Sequence, residues 1–171
     1  AGATFIARTI DKESKHMQEM ITESYHHRGT SFLEIYQNCN IFNDGAYSDF
    51  TDRDTKSDTV LWLKDGEPMV FGADSNKGIR LDGNIPTVVE LGDKWSKDDL
   101  LIHNKRDYMI ASMLSNMTSK PETPEPIGVL YAIDAPTYED NISNQIKSAI
   151  DIKPKGSIQD IINSGDTWVV K

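Results

Sequence analysis

The chain has 171 residues, a net charge of −9, 37% hydrophobic residues and one cysteine. That length suits one domain, or one and a fraction, with enough apolar content for a core. The acidic balance argues against a general nucleic-acid or anionic-membrane binder. A lone cysteine excludes an internal disulfide and fits a reducing, cytoplasmic setting. No stretch approaches the roughly 18 apolar residues of a membrane span.

The chain opens Ala1-Gly2-Ala3-Thr4-Phe5, without an initiator Met and without a basic or apolar leader segment, which reads as a start that was cut, processed or chosen. Thr4 to Arg8 reads as a strand. Asp11 can cap a helix running to about Arg28, with Met17, Met20, Ile21, Ser24 and Tyr25 on its less polar face. Gly29 is a natural stop. Thr30 to Tyr36 is the next strand, so a parallel strand–helix–strand unit is predicted. Two strands and one helix cannot bury both faces of a parallel sheet. The alternation does not continue, so residues 1 to about 40 read as the last unit of a larger α/β domain.

Asp44 to Asp58 is a polar connector. Asp52, Asp54 and Asp58 alternate faintly like a calcium loop, but its glycine and closing glutamate are absent. Two hairpins are predicted next. Thr59–Leu63 and Pro68–Phe71 flank the turn signal Asp65-Gly66; Gly78–Leu81 and Thr87–Leu91 flank a looser turn at Asp82–Pro86. Ile110, Met113, Leu114 and Met117 repeat at helical spacing. Pro121 to Pro126 reads as a stiff linker, and Ile127 to Ile133 as a strand. Thr137 with Asp140, and Ser157 with Asp160, resemble capping boxes; the second opens a short helix ended by Gly165.

No P-loop, dinucleotide fingerprint, zinc spacing or metalloprotease helix is present. His26 and His27 sit in a last helical turn, where such groups are favoured. His103 precedes a helix start and reads as a structural, hydrogen-bonded histidine. Trp62, Trp95 and Trp168 read as core or rim aromatics. The informative run is Gln37 to Gly45, at the end of a predicted parallel strand and holding Cys39. Ligands of open α/β sheets collect at the carboxyl ends of strands. On residue type alone, a single cysteine is most often a small buried hydrophobe. A nucleophile would need a nearby base and an electropositive setting.

Ala1–Thr9, Lys15-His16-Met17 and Gly29–Cys39 resemble the β subunit of 2-oxoacid:ferredoxin oxidoreductases, closest to the 2-oxoglutarate branch. The resemblance continues in order through Asn43–Ala46, Lys64–Gly72, Lys77–Leu81, Pro126–Leu130, Pro136–Asp140 and Ser164–Trp168. It implies an α/β fold: residues 1–44 as the terminal part of a thiamine diphosphate-binding, parallel-sheet domain, and residues 45–171 as a mixed α+β C-terminal extension. It implies an enzyme that decarboxylates a 2-oxoacid, makes acyl-CoA from coenzyme A, and passes electrons through a [4Fe-4S] cluster to ferredoxin. Cys39 matches a strand-end cluster ligand of the family, and so is the one cofactor- and metal-binding residue implied here.

The Gly-Asp-Gly segment that holds thiamine diphosphate and Mg2+ is absent, as are further cysteines. One thiolate cannot hold a four-iron cluster. The isolated chain is therefore expected to bind neither cofactor tightly and to be inactive, and to self-associate through its unpaired sheet. Its expected partners are the other half of the β subunit, an α subunit and ferredoxin. Two rival readings stay open: a non-catalytic interaction or regulatory domain on the same scaffold, and a transferase or hydrolase using Cys39.

Overall fold

The computed structural model describes every residue except 1, 119–121, 154, 155 and 171. β1 (Phe5–Ile10) and β2 (Ser31–Tyr36) pair in parallel, from Phe5 opposite Ser31 to Ile10 opposite Tyr36, with α1 (Ser14–His26) between them in sequence. The predicted strand–helix–strand unit therefore forms. Two details differ from the sequence reading. α1 starts three residues beyond Asp11, and no side chain caps it. Its buried residue is Met20, with Met17 and Ser24 half-buried, whereas Ile21 and Tyr25 are exposed. The stripe follows 17, 20 and 24, because Met20 is the position that meets Phe5, Ala7 and Val129 across the sheet.

The connector contains two single-turn helices, α2 (Ser48–Thr51) and α3 (Lys56–Thr59). Asp52 pairs with Lys12 at 3.2 Å and Asp58 with Lys77 at 3.1 Å. Next come β3 (Val60–Trp62), β4 (Val70–Phe71), β5 (Lys77–Asp82) and β6 (Ile85–Glu90). β5 and β6 form the predicted hairpin, with a tighter turn than expected: Asp82 already faces Ile85 across Gly83 and Asn84. The first predicted hairpin does not form. β3 joins the first sheet, parallel to β7, while β4 joins β5 in a second sheet. The Asp65-Gly66 turn, with Gly66 at φ +81°, thus carries the chain from one sheet to the other. Turn chemistry marks the reversal but does not choose the partner strand.

α4 (Tyr108–Met117) is capped by Asp107, whose carboxylate accepts from the Met109 and Ile110 amides. β7 (Glu125–Ala132) then lies between β1, to which it is antiparallel, and β3. The first sheet has the order β2-β1-β7-β3, with one parallel pair at each end. Glu125 and Pro126, read from sequence as linker, are buried strand residues; Pro121 lies outside the described residues. Gly128, at φ +127°, leaves room for the Leu63 backbone, whose carbonyl oxygen would be 3.1 Å from an added Cβ.

α1 covers one face of this sheet through Met20. On the other side Leu61 and Leu130 pack with Met69, Phe71 and Ile79 of the second sheet and with Leu114 and Met117 of α4. These elements make up a unit spanning residues 1–135. A second unit, residues 136–171, contains α5 (Tyr138–Ile152) and α6 (Ile158–Ile162). Both predicted capping boxes form: Thr137 accepts from the Asp140 amide, and Ser157 from the Asp160 amide. Trp168 is exposed in the second unit; in the first, Trp62 sits at a rim, and Trp95 carries Arg80 4.4 Å above its ring. Among the described residues, no helix is long and apolar enough to cross a membrane.

Candidate functional site

The carboxyl end of β2 is fixed from below. Tyr36 is buried, and its hydroxyl donates to Glu125 Oε1 at 2.9 Å. Glu125, also buried, accepts from Arg8 and from Thr118 Oγ1 at 3.0 Å. Arg8 donates in turn to Glu34 Oε2 at 2.7 Å and to Thr118 Oγ1 at 3.0 Å. Burial opposes the charge on Arg8, but Glu125, Glu34 and Tyr36 outweigh it and raise its pKa. Burial, reinforced by Glu125, raises the pKa of Tyr36, which stays a neutral donor. One buried cation is thereby matched by carboxylates from two strands, as buried charges require.

Beyond Tyr36 the chain turns sharply. Asn38 is its hub: its amide nitrogen donates to Asn40 Oδ1 at 2.6 Å and Asp44 Oδ1 at 2.9 Å, and its oxygen accepts from the Gly45 amide at 2.8 Å. Gly45 adopts φ +76°, a region open to glycine at little cost. The Asn43 amide donates to the Cys39 carbonyl at 2.9 Å and closes the turn. Tyr47 then stacks flat on Tyr36, which anchors the returning chain.

Cys39 stands exposed at the head of this turn. The nearby backbone N–H groups of Phe42, then Ile41 and Asn43, favour its anion and lower the thiol pKa from its ordinary value. Ile41 and Phe42 beside it are 84% and 89% exposed. The residue-type expectation of a buried cysteine is thus overturned: the sulfur faces outward, near amides that favour the thiolate. No imidazole serves it as a base. His16 bonds Thr9, His27 bonds Thr4, His103 bonds the Val129 carbonyl, and His26 lies against the Tyr25 ring. This arrangement suits a soft-metal ligand or a redox thiol better than a hydrolytic nucleophile.

Whether one thiol can hold the cluster that the resemblance implies is decided by the donor set. Among the described residues, no group of three or more His, Cys, Asp or Glu side chains converges as a metal site. Cys39 fits as one ligand, with backbone N–H groups near its sulfur of the kind that tune such centres. The other ligands would come from outside this chain.

Sequence reasoning located Cys39 but missed its support. Glu125 lies in a Pro-Glu-Pro run that gives no signal of burial. Arg8, a charge inside an otherwise uncharged strand, was the one visible hint.

The fold and the strand-end thiol define an α/β chain with a ligand-ready edge. No family model matches the chain. It is 30% identical, over 99% of its length, to the 2-oxoglutarate oxidoreductase subunit KorB of Mycobacterium tuberculosis, of which it covers 46%. It is 24% identical, over 90% of its length, to the 2-oxoacid:ferredoxin oxidoreductase subunit beta of Saccharolobus solfataricus, of which it covers 40%. Its fold is similar, at a TM-score of 0.54 and 18% identity, to a 2-oxoglutarate:ferredoxin oxidoreductase from Magnetococcus marinus solved with 2-oxoglutarate, coenzyme A and succinyl-CoA bound; the match covers 97% of this chain and 42% of that one. The chain is homologous to part of the β subunit of the 2-oxoacid:ferredoxin oxidoreductases, and spans about half the length of the curated relatives it matches.

Proposed function

We propose that the chain is the C-terminal half of the β subunit of a thiamine diphosphate-dependent 2-oxoacid:ferredoxin oxidoreductase acting on 2-oxoglutarate. Residues 1–44 end the cofactor-binding domain, and residues 45–171 form its extension. In the assembled enzyme the products are acyl-CoA and carbon dioxide, and ferredoxin accepts the electrons. The rest of the β subunit and an α subunit complete the active site, with thiamine diphosphate, Mg2+ and the remaining cluster ligands held outside this chain.

The observation that carries this reading is the Cys39 turn: a thiol at the carboxyl edge of a parallel strand pair, with amides that favour its anion. An iron-sulfur cluster, when bound, takes up electrons one at a time. This chain's part is to present one thiolate, orient it through Asn38 and Tyr47, and shield its base with the Arg8–Glu125–Tyr36 network.

The test is Cys39→Ser in the complete heteromer. A hydroxyl is a hard, poorly ionised ligand that iron-sulfur clusters accept badly. Iron content and 2-oxoglutarate-dependent dye reduction should fall together, while a single turnover of carbon dioxide release, which needs no electron acceptor, would remain. Unchanged iron content with full dye reduction would remove the claim.

A further inference from the structure

The second unit, residues 136–171, has no core of its own: none of its described residues is buried. Yet its helices are firmly specified. The capping boxes at Thr137 and Ser157 fix where α5 and α6 begin. The similarity to a solved oxidoreductase runs through most of this unit as well.

α5 shows what is missing. Ile142, Ile146 and Ile150 recur every four residues and make one apolar stripe, opposite Asn144, Ser148 and Asp151. Ile146 is 55% and Ile150 44% exposed. A helix of this length takes most of its stability from whatever covers its apolar face. Among the described residues of the unit, ten large apolar side chains stand exposed, Ile161 and Trp168 included. At roughly 100 Å² each they present on the order of 1,000 Å² of apolar surface, and one side of a specific interface buries about 800 Å².

A second copy of the helix does not supply that cover. A coiled-coil seam needs apolar residues at alternating spacings of three and four. Counted from Ile142, that seam falls on Gln145 and Ala149. A ridge spaced by four instead fits a groove on a globular surface. The relatives are themselves named as subunits, so a different polypeptide is the surface at hand.

We propose that residues 136–171 are a docking arm, and that the α5 stripe lies in an apolar groove of the α subunit. This rests on the reading of the chain as part of a β subunit, and it names the surface that joins the two polypeptides. Ile146 and Ile150 are the central anchors, and α6 with Trp168 extends the contact.

The test compares the 171-residue chain with the complete heteromer by hydrogen exchange. Amides of α5 should exchange at least about tenfold more slowly in the heteromer than in the dilute free chain. Ile146→Lys with Ile150→Lys should raise the dissociation constant for the α subunit about a hundredfold, because two isoleucines lose their burial. Asn144→Lys with Ser148→Lys adds the same charge to the opposite face and should change it no more than about threefold. Lysine forms helix at least as well as isoleucine, so both variants keep α5. Iron content reports on Cys39 and subunit affinity on α5, so either reading can fail alone. A heteromer in which α5 exchanges as in the free chain overturns the proposal, as does a lysine pair at Ile146 and Ile150 that binds like the parent. So does α5 protection already complete in the dilute chain, whose cover would be its own body, or protection that grows with the concentration of the free chain, whose cover would be a second copy. If no heteromer forms, both readings fall.

Discussion

Tyr36 and Tyr47 lie face to face, ring centroids 4.6 Å apart and planes within 4°. The stack joins the last residue of β2 to the far side of the Cys39 turn, and it stands on Glu125 through the Tyr36 hydroxyl. What happens at Glu125 should therefore be felt at the turn. Glu125→Ala leaves Arg8 buried with only the half-exposed Glu34 as its counter-ion, a loss of about 3–5 kcal/mol by the cost of stranding a buried charge. Urea unfolding at neutral pH measures it. Arg8→Met combined with Glu125→Leu should cost much less than Glu125→Ala alone, because no charge is stranded.

Stability should fall in mild acid. Burial depresses the pKa of His103 below its ordinary 6.5, with His16 shifted the same way. Between the depressed folded value and 6.5, the unfolded chain holds more protons than the folded one. Stability therefore rises with pH through that window and is lost as pH drops below about 6.5. His103→Gln keeps a donor for the Val129 carbonyl and removes one titration. Its stability curve from chemical denaturation should be flatter than the parent's, with a residual slope from His16.

Gly128 should resist substitution. Its φ of +127° is foreign to residues with a side chain, and a Cβ there would press on the Leu63 backbone at 3.1 Å. Gly128→Ala is expected to cost about 2 kcal/mol from strain and crowding together, seen as a lower denaturant midpoint. Gly165→Ala, where nothing lies within 4 Å and φ is ordinary, should be near neutral and serves as the control.

β2 is bonded only on its β1 side, and Phe32 and Ile35 on it are 57% and 41% exposed. Open edges with exposed apolar residues invite pairing. The isolated chain should associate at micromolar concentration in sedimentation velocity runs. Phe32→Lys, a charge of the kind natural edge strands use, should shift it toward monomer. A monodisperse parent chain would refute the idea.

Local signals in the sequence translated well. The hairpin read at Asp82–Pro86, which closes more tightly at Asp82–Ile85, the Thr137 and Ser157 capping boxes and the β1–α1–β2 unit each depend on residues close in the chain, and each formed. The strand-end position of Cys39 was legible for the same reason. Long-range choices were not. Nothing near Asp65-Gly66 says that β3 will pair with a strand more than sixty residues on, and nothing in Pro124-Glu125-Pro126 says that Glu125 will meet Arg8. Those outcomes come from which apolar faces are left to cover, a property of the assembled sheet. The outward-facing sulfur of Cys39 was missed because the residue-type rule describes an average cysteine, not one at the head of an exposed turn.

The place of β7 sets a timetable for synthesis. Its partners β1 and β3 precede it, the first by more than a hundred residues. Until the ribosome has released Ala132, β1 and β3 wait with a strand-wide gap between them, and Val60 and Leu61, buried in the finished chain, face water or a chaperone. Local hairpins such as β5–β6 can close at once, but the central sheet closes only when its latest strand arrives. A ribosome stalled before residue 125 would hold a sheet without its central strand, one that proteases should cut.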